Sequence, residues 1–407
     1  MNVYRFIAQK ISRKSTKKAG FTHILYLIAI TSIAVAISVV LLSFSVLLGF
    51  KEAIKSKVFS FSGHIRIVKT SNNQSFEEPP VPTRSQIIAQ RSNISYIEHL
   101  QYYVQKPSVV KVKDNVQGVL LKGVDKNFRF SDFAANMKAG RWLKFSDKEE
   151  SKELVISELI SKKLNISVGD SLILIFVQKP PRFRKLSVVG IYNSGVAMFD
   201  EKVMLTDLRV LQKVNNWGDS LVSGYEIFLK NFDEIAENSK DLEQYIPFDL
   251  QQQLITVKHF DTFEWLSLLD NNVVIILIVI LLVASFNIIS IVLITIMERT
   301  QMIGILKALG AKNGQISRIF LWQGMQMLFW GLFWGNLFTI CLVLSQYYGR
   351  WIPLDAQSYF VSYVPMTWDF SVWIVANLGV ASLLVLVMTI PMYFSLRISP
   401  VKAIRFV

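Results

Sequence analysis

The chain has 407 residues, of which 52% are hydrophobic, and it carries a formal net charge of +14. The basic residues are concentrated in tails and short connections beside apolar runs, so this charge does not predict nucleic-acid binding. The single cysteine, Cys341, excludes a disulfide within the chain, and four histidines scattered without ligand spacing do not predict a metal site.

The first element in chain order is a basic tail, residues 1–20, with an apolar stripe at Val3, Phe6, Ile7 and Ile11. The stripe favours a helix lying on the inner membrane surface, and a basic retention tail is the alternative. The tail leads into the first of four stretches that lack Asp, Glu, Lys and Arg. Each stretch exceeds the roughly 20 residues that a helix needs to cross a bilayer. The predicted spans are residues 21–50, 269–297, 319–346 and 372–396.

Orientation follows from the distribution of Lys and Arg. Six of these residues lie in the first tail, four follow the second span and three lie in the last tail, residues 397–407, whereas residues 347–371 contain only Arg350. Because cytoplasmic loops are enriched in Lys and Arg, both termini and residues 298–318 are predicted to be cytoplasmic. Residues 51–268 and 347–371 are therefore predicted to lie outside.

The long insert, residues 51–268, alternates strand-like and helix-like segments, which predicts an α+β domain with its own core. Ser157 and Thr206 are the predicted helix N-caps, and residues 70–82 are predicted to be a loop. The predicted strands are residues 64–68, 109–112, 119–124, 171–177, 186–192 and 225–229, and the predicted helices are residues 84–100, 158–164, 207–214 and 232–245. The fold predicted for the whole chain is therefore membrane α-helical, with four transmembrane helices and a large α+β extracytoplasmic domain inserted between helices 1 and 2.

A short amphipathic segment follows the second span. Read as a helix, it places Met302, Ile305, Leu306 and Leu309 on one face, and Gly310 stands where a C-cap would end it. An apolar face in the cytoplasm favours docking into a groove of a second, soluble subunit. A helix lying on the lipid surface is the alternative.

Several catalytic patterns are absent from the sequence. It contains no phosphate-binding G-x-x-x-x-G-K-[ST] loop, no G-x-S-x-G elbow and no H-E-x-x-H pair. The apolar stretches 24–50, 271–297, 319–349 and 370–396 contain no Asp, Glu, Lys or Arg, which removes the usual mark of an ion relay. Asparagines such as Asn287, Asn336 and Asn377 are predicted to form interhelical hydrogen bonds. The chain is therefore predicted to be no enzyme and to bind no cofactor, so any work must be driven by a partner.

The segment from Met297 to Ala311 resembles the coupling helix of the superfamily that contains the division permease FtsX and the macrolide exporter MacB. The run from Ser399 to Arg405 is similar to the common tail of that superfamily, with Ser399 in place of Asp. Within the superfamily, Ile352 to Pro365 resembles the second outer loop of lipoprotein-releasing permeases of the LolC/LolE type. Gly49-Phe50 and the stretch from Leu154 to Asp170 are also similar to that branch.

This resemblance implies a permease subunit that extracts lipoproteins from the outer leaflet of the inner membrane of a Gram-negative bacterium and passes them to a periplasmic chaperone. The implied partners are an ABC ATPase dimer that carries ATP and magnesium, a second permease that is either identical or a paralogue, the lipoprotein and membrane lipid. The alternatives are an FtsX-like permease that transmits force and a MacB-like efflux permease, neither of which has a lipoprotein substrate.

The resemblance also implies three sets of site residues. The ATPase-docking set is Glu298, Arg299, Met302, Ile305, Leu306, Lys307, Leu309 and Gly310. The lipid-cavity set is Phe44, Leu47, Leu48, Trp265, Leu268 and Leu269. The chaperone-contact set, in a hairpin that is compact compared with the protruding hook of the family, is Pro181, Arg182, Phe183 and Arg184.

Overall fold

The computed structural model describes residues 21–71, 77–112, 115–355 and 359–395. The two predicted cytoplasmic tails, residues 1–20 and 397–407, lie outside the described residues. The chain divides into two compact units. The described residues in 21–50, 266–352 and 364–395 belong to the helical unit, and those in 51–265 and 353–363 belong to the inserted unit.

The helices are α1 Phe21–Phe61, α2 Gln86–Gln90, α3 Phe130–Ala134, α4 Glu158–Leu164, α5 Ala197–Asp200, α6 Leu208–Asn215, α7 Ile235–Leu242, α8 Ile255–Lys258, α9 Phe260–Glu298, α10 Thr300–Ala308, α11 Asn313–Gly349 and α12 Phe370–Ser395. The strands are β1 Ile65–Lys69, β2 Val81–Pro82, β3 Ile97–Val112, β4 Asn115–Val124, β5 Met137–Gly140, β6 Glu153–Ser157, β7 Ser171–Phe176, β8 Arg182–Tyr192, β9 Val203–Asp207, β10 Leu221–Val222, β11 Gly224–Leu229 and β12 Leu250–Leu254.

Four helices within the described residues, α1, α9, α11 and α12, are long and apolar enough to cross a membrane. Two of them extend well past the spans predicted from the sequence, since α1 continues to Phe61 and α9 begins at Phe260. The extension of α1 is amphipathic, with Ile54, Val58 and Phe61 buried within the inserted unit. The span was predicted to end at residue 50, where the apolar run stops. The helix itself continues to Phe61 because an apolar face persists on one side of it.

Helices α1 and α11 pack closely at two glycines of α11. A Cβ atom at Gly331 would lie 2.6 Å from Ile33 Cβ, and one at Gly335 would lie 2.6 Å from the Ala34 carbonyl oxygen. The four-residue spacing of these glycines is the small-xxx-small pattern that lets membrane helices approach each other. This pattern was not among the features predicted from the sequence.

Polar side chains add hydrogen bonds between the helices of this unit. Asn336 of α11 and Asn377 of α12 each donate to the side-chain oxygen of the other, at 2.7 and 3.0 Å. Asn287 of α9 donates to Ser32 Oγ of α1 at 2.9 Å. The interhelical role predicted for these three asparagines is confirmed.

The inserted unit is built on a ten-stranded sheet in the order β12-β1-β11-β3-β4-β9-β6-β8-β5, with β7 pairing to β3 and β8. Most neighbours are antiparallel, while β4 with β9 and β6 with β8 are parallel. Helices packed on this sheet complete an α+β arrangement, as predicted. Within it, α4 has the predicted bounds, and Ser157 caps it by accepting a hydrogen bond from the Ile160 amide at 3.0 Å.

Two local predictions in the inserted unit are wrong. The helix predicted for residues 84–100 ends at Gln90, and β3 begins at Ile97. The buried residues Ile94, Ile97 and Leu100 have a spacing that resembles that of a helix, but pairing of β3 with β11 makes Ile97 and Leu100 part of a strand. Residues 81–82 of the predicted loop also form a short strand, paired with β10.

The predicted N-cap at Thr206 is also wrong. Thr206 lies in β9, and its hydroxyl donates to the Glu153 carbonyl at 2.9 Å. Asp207 is the cap of α6, since its carboxylate accepts a hydrogen bond from the Arg209 amide at 3.0 Å. Both residue types are good caps, and the sheet pairing of Thr206 decides between them.

We expect Gly335→Val to destabilise the helical unit by about 1–3 kcal/mol, because added atoms overpack the contact with α1. Thermal unfolding of the detergent-purified protein measures this loss. Gly379→Val in α12 is the matched control, since a Cβ there meets no atom of the described residues within 4 Å. Equal unfolding midpoints for the two variants would show that the α1–α11 contact is not close.

Candidate functional site

The predicted docking segment forms the short helix α10 between α9 and α11. Its C-terminus is closed by two hydrogen bonds, from the Gly310 amide to the Lys307 carbonyl at 3.0 Å and from the Ala311 amide to the Leu306 carbonyl at 2.9 Å. Gly310 has a φ of +88°, so it takes the left-handed conformation of a Schellman cap. The sequence therefore located the end of this helix correctly.

The faces of α10 differ from those predicted. Ile303, which was not among the predicted site residues, is fully buried, and Met302 packs with it against the core of the helical unit. Leu306 is half-buried, whereas Ile305 is 50% exposed and Leu309 is 80% exposed. The predicted four-residue stripe is thus divided, because the helix packs back onto its own bundle on one side.

The polar members of the docking set lie at the ends of α10. Glu298, the last residue of α9, is exposed, and Arg299 occupies the N-cap position of α10 with its side chain half-buried. Lys307 lies in the last turn and is also half-buried. The large apolar side chains exposed on α10 and at its C-cap are therefore Ile305 and Leu309, with charged residues near both ends.

Two apolar grooves lie on the surface of the helical unit. The first, of about 450 Å³, is named here the α12 groove and is lined by Val40, Phe44, Leu277, Leu281, Ser371, Val372, Val375, Ala376, Gly379 and Val380. The second, of about 390 Å³, lies between α1 and α9 and includes Ser32 and Asn287 in its lining. Of the predicted lipid-cavity residues, Phe44 lines the first groove.

The other predicted cavity residues do not join Phe44. Leu47 is buried, Leu48 and Leu269 are half-buried, and Leu268 is 53% exposed. Trp265 belongs to the inserted unit, where its ring packs edge-on against Phe360. The contribution of α12 was not predicted, because hydropathy identifies a span without showing which of its faces meets another helix.

The predicted chaperone-contact residues lie on and beside a hairpin formed by β7 and β8. Phe183 pairs with Ile175 across the hairpin and is 58% exposed, and Pro181 is exposed at its turn. Ile173 on β7 and Val116 on β4 are also exposed, at 50% and 63%. By strand alternation and register, these side chains lie on the same face of the sheet as Phe183.

The two arginines of this set have partners within the same domain. The Arg182 guanidinium donates to the carbonyls of Lys213 and Val214 at 2.8 and 2.9 Å, and to the Asn216 side chain at 2.7 Å. It thereby caps the C-terminus of α6, where a cation is favoured. Arg184 donates to the Phe183 carbonyl at 3.0 Å. Phe183 is thus the member of the set best placed to contact a partner.

Comparison with known proteins identifies the family. Residues 26–245, more than half of the chain, match the MacB-like periplasmic core domain, and residues 274–400 match the FtsX-like permease C-terminal domain. The lipoprotein-releasing system transmembrane protein LolC of Neisseria meningitidis is 23% identical over 88% of each chain. The corresponding LolE of Haemophilus influenzae is 24% identical over 85% of this chain and 83% of that protein. The chain belongs to the FtsX/MacB-like permeases and is of the LolC/LolE type.

Two further similarities were found. An uncharacterized membrane protein of Buchnera aphidicola is 23% identical to this permease over the full length of both. The crystal structure of the periplasmic region of MacB from Actinobacillus actinomycetemcomitans aligns with a TM-score of 0.34 at 17% identity, covering 51% of this chain and 95% of that one.

Membership of this family settles the class of the protein. It is an ABC permease, a multi-pass protein of the inner membrane, and its inserted unit is a periplasmic domain. Permeases of this family are transport subunits and not catalytic enzymes.

Proposed function

We propose that this permease extracts lipoproteins from the outer leaflet of the inner membrane for transfer to a periplasmic chaperone, driven by a separate ABC ATPase. The observation that carries the proposal is the α12 groove, whose lining is apolar apart from the Ser371 hydroxyl. The similarity to LolC and LolE, which are named for lipoprotein release, supports the same substrate class.

The groove matches the physical problem of extracting an acyl chain. Each methylene that leaves the bilayer for water costs about 0.8 kcal/mol, so a whole chain is held too strongly for rapid spontaneous release. A groove lined by residues such as Phe44 and Val375 keeps apolar contact with the chain as it leaves the lipid. The cost is then spread over successive small steps instead of one large one.

The energy for these steps would enter through α10. With both termini and α10 in the cytoplasm, the exposed side chains of Ile305 and Leu309 would occupy an apolar groove of the ATPase dimer, with ATP and magnesium held by that partner. Ile303, buried in the bundle, would pass the movement of α10 to α9 and α11. A second permease, identical or a paralogue, would complete the lateral cavity.

The chaperone would bind the exposed sheet face that includes Val116, Ile173 and Phe183. Exposed apolar patches of this kind commonly mark interaction sites, and a Phe side chain is a typical anchor of an interface. A chaperone that carries acyl chains presents apolar surface near its own cavity, so the two surfaces are chemically compatible.

We expect Leu309→Asp to abolish co-purification of the ABC ATPase subunit, because a carboxylate cannot enter an apolar groove without a cost of several kcal/mol. The measurement is the yield of ATPase, identified by mass spectrometry, after co-expression and affinity purification of the permease. Gln301→Asp is the matched control, since it adds the same charge at an exposed polar position of α10. ATPase at wild-type yield with Leu309→Asp would refute docking through α10.

We expect Ala376→Trp to reduce lipoprotein release at least about tenfold, because an indole ring fills the α12 groove. Release is measured from proteoliposomes that contain the permease, its ATPase, ATP and a soluble chaperone. Leu378→Trp, at a 63% exposed position of the same helix, is the control for an added ring. Normal release by Ala376→Trp would exclude the groove as the path, and no release by the wild type would favour the alternatives without a lipoprotein substrate.

We expect a photoreactive residue at position 183 to capture the purified periplasmic chaperone. The control position is Phe248, a fully exposed phenylalanine elsewhere on the inserted unit, from which we expect no capture. Equal capture from both positions, or capture of a second permease from position 183, would assign chaperone binding to another surface.

A further inference from the structure

The periplasmic domain contains a cavity that the transport proposal does not use. It has a volume of about 440 Å³, within the range of roughly 300–1,000 Å³ typical of small-molecule sites. Its lining comes entirely from the inserted unit, chiefly from one face of the sheet and from the ends of α1 and α8. We name it the sheet cavity.

The floor of the sheet cavity is a buried charge cluster. Arg66 on β1 is paired in register with Glu226 on β11, and Lys122 on β4 lies 2.7 Å from both oxygens of the Glu226 carboxylate. Arg66 also lies 3.4 Å from the Glu78 carboxylate. Arg66, Lys122 and Glu226 are at most 6% exposed. The two cations and two anions of the cluster compensate each other, so the floor is close to neutral.

One hydrogen-bond donor in the floor of the sheet cavity has no acceptor among the described residues. The Arg66 Nε atom is buried and has no hydrogen-bond partner within the described residues, and the closest Glu226 oxygen is 3.7 Å away. A buried donor without an acceptor costs free energy, which favours a ligand that brings an oxygen atom.

The walls of the sheet cavity carry an excess of positive charge, because their one carboxylate, that of Glu77, is already paired with Lys106. Lys69, Lys202 and Lys258 line it, and no ion pair or hydrogen bond of their ammonium groups is found within the part of the chain that the structure describes. Residues 72–76, which follow β1 in the sequence, include no Asp or Glu. His259 also lines the cavity, but burial and the nearby Arg66 lower its pKa to about 4, so it adds no charge at neutral pH.

A third part of the lining is apolar. Phe61 and Phe199 stack with ring centroids 4.4 Å apart, and Val203 beside them is also buried. Met198, 37% exposed, extends this surface outward. The cavity therefore joins an apolar wall to a set of free cations.

We propose that the sheet cavity binds an anionic amphiphile. Its phosphate or carboxylate group is held by Lys69, Lys202 and Lys258, and its apolar part lies against Phe61, Met198 and Phe199. An inorganic anion would leave the apolar wall without a partner and Met198 in water, and a neutral hydrophobic ligand would have to desolvate the lysines without compensation. This site does not depend on the proposed lipoprotein substrate.

The experiment uses the full-length permease in phosphatidylcholine nanodiscs. Two photoreactive probes are compared, a phosphatidylglycerol with a diazirine in one acyl chain, placed in the nanodisc, and a diazirine-bearing decanoic acid added from solution. Labelled peptides are identified by mass spectrometry, and we expect label on the peptide containing Met198 and Phe199. Labelling by the phospholipid alone identifies a membrane lipid as the source of the ligand, and labelling by the fatty acid alone identifies a soluble amphiphile.

Charge variants test the role of the lysines. We expect the triple variant Lys69→Gln, Lys202→Gln, Lys258→Gln to reduce this labelling about tenfold, because three charged donors are lost. The control is Lys111→Gln, Lys185→Gln, Lys230→Gln, three exposed lysines of the same domain that lie outside the cavity. Equal unfolding midpoints for the two triple variants show that folding is unaffected.

Met198→Gln tests the apolar half, and it should weaken labelling while leaving the unfolding midpoint unchanged. Absence of label on the cavity peptide with both probes would overturn the proposal, as would equal labelling of the two triple variants. Competition by inorganic phosphate at the same concentration as decanoic acid would also overturn it, because the apolar wall would then contribute nothing.

Discussion

The close approach of α11 to α1 is the contact on which the helical unit depends. In a bilayer, helices gain little by burying apolar surface from lipid, so association relies on close packing and on interhelical hydrogen bonds. Gly331 and Gly335 provide the first, and the Ser38 hydroxyl, which donates to the Gly335 carbonyl at 3.0 Å, provides the second. Asn336 also joins α11 to α12, so α1, α11 and α12 are held together by these contacts. Helices α1 and α12, together with α9, then form the α12 groove.

The periplasmic domain solves a different problem. One face of its sheet packs an ordinary hydrophobic core, whereas the other places Arg66, Lys122 and Glu226 side by side away from water. Charges buried in this way are tolerated only when each has a partner, and removing one partner typically costs about 3–5 kcal/mol. The mutual pairing therefore restricts how β1, β4 and β11 can align.

The sequence predicted best those features that are decided locally. The helix Glu158–Leu164, its Ser157 cap and the Gly310 stop each depend on residues within one or two turns. The failures involve partners distant in the chain. Residues 97–100 become strand because β11 pairs with them. Arg66, which alternation alone would place in solvent, is buried because Glu226 lies opposite it 160 positions later. The contribution of α12 to the groove beside Phe44 could not be predicted for the same reason, since only packing shows which face of α12 lies there.

The two sides of α10 show how docking could act on the membrane helices. Leu309 is free to enter a partner, but Ile303 on the same short helix has no exposed surface and is part of the bundle core. Closely packed interiors transmit displacement because their side chains cannot be moved singly without opening cavities or clashes. A force applied at Leu309 would therefore be resisted at Ile303 and would shift α9 and α11 together with α10. A helix attached only by flexible loops would lose that force in bending. The burial of Ile303, which the sequence pattern did not reveal, would therefore suit α10 to the proposed coupling role.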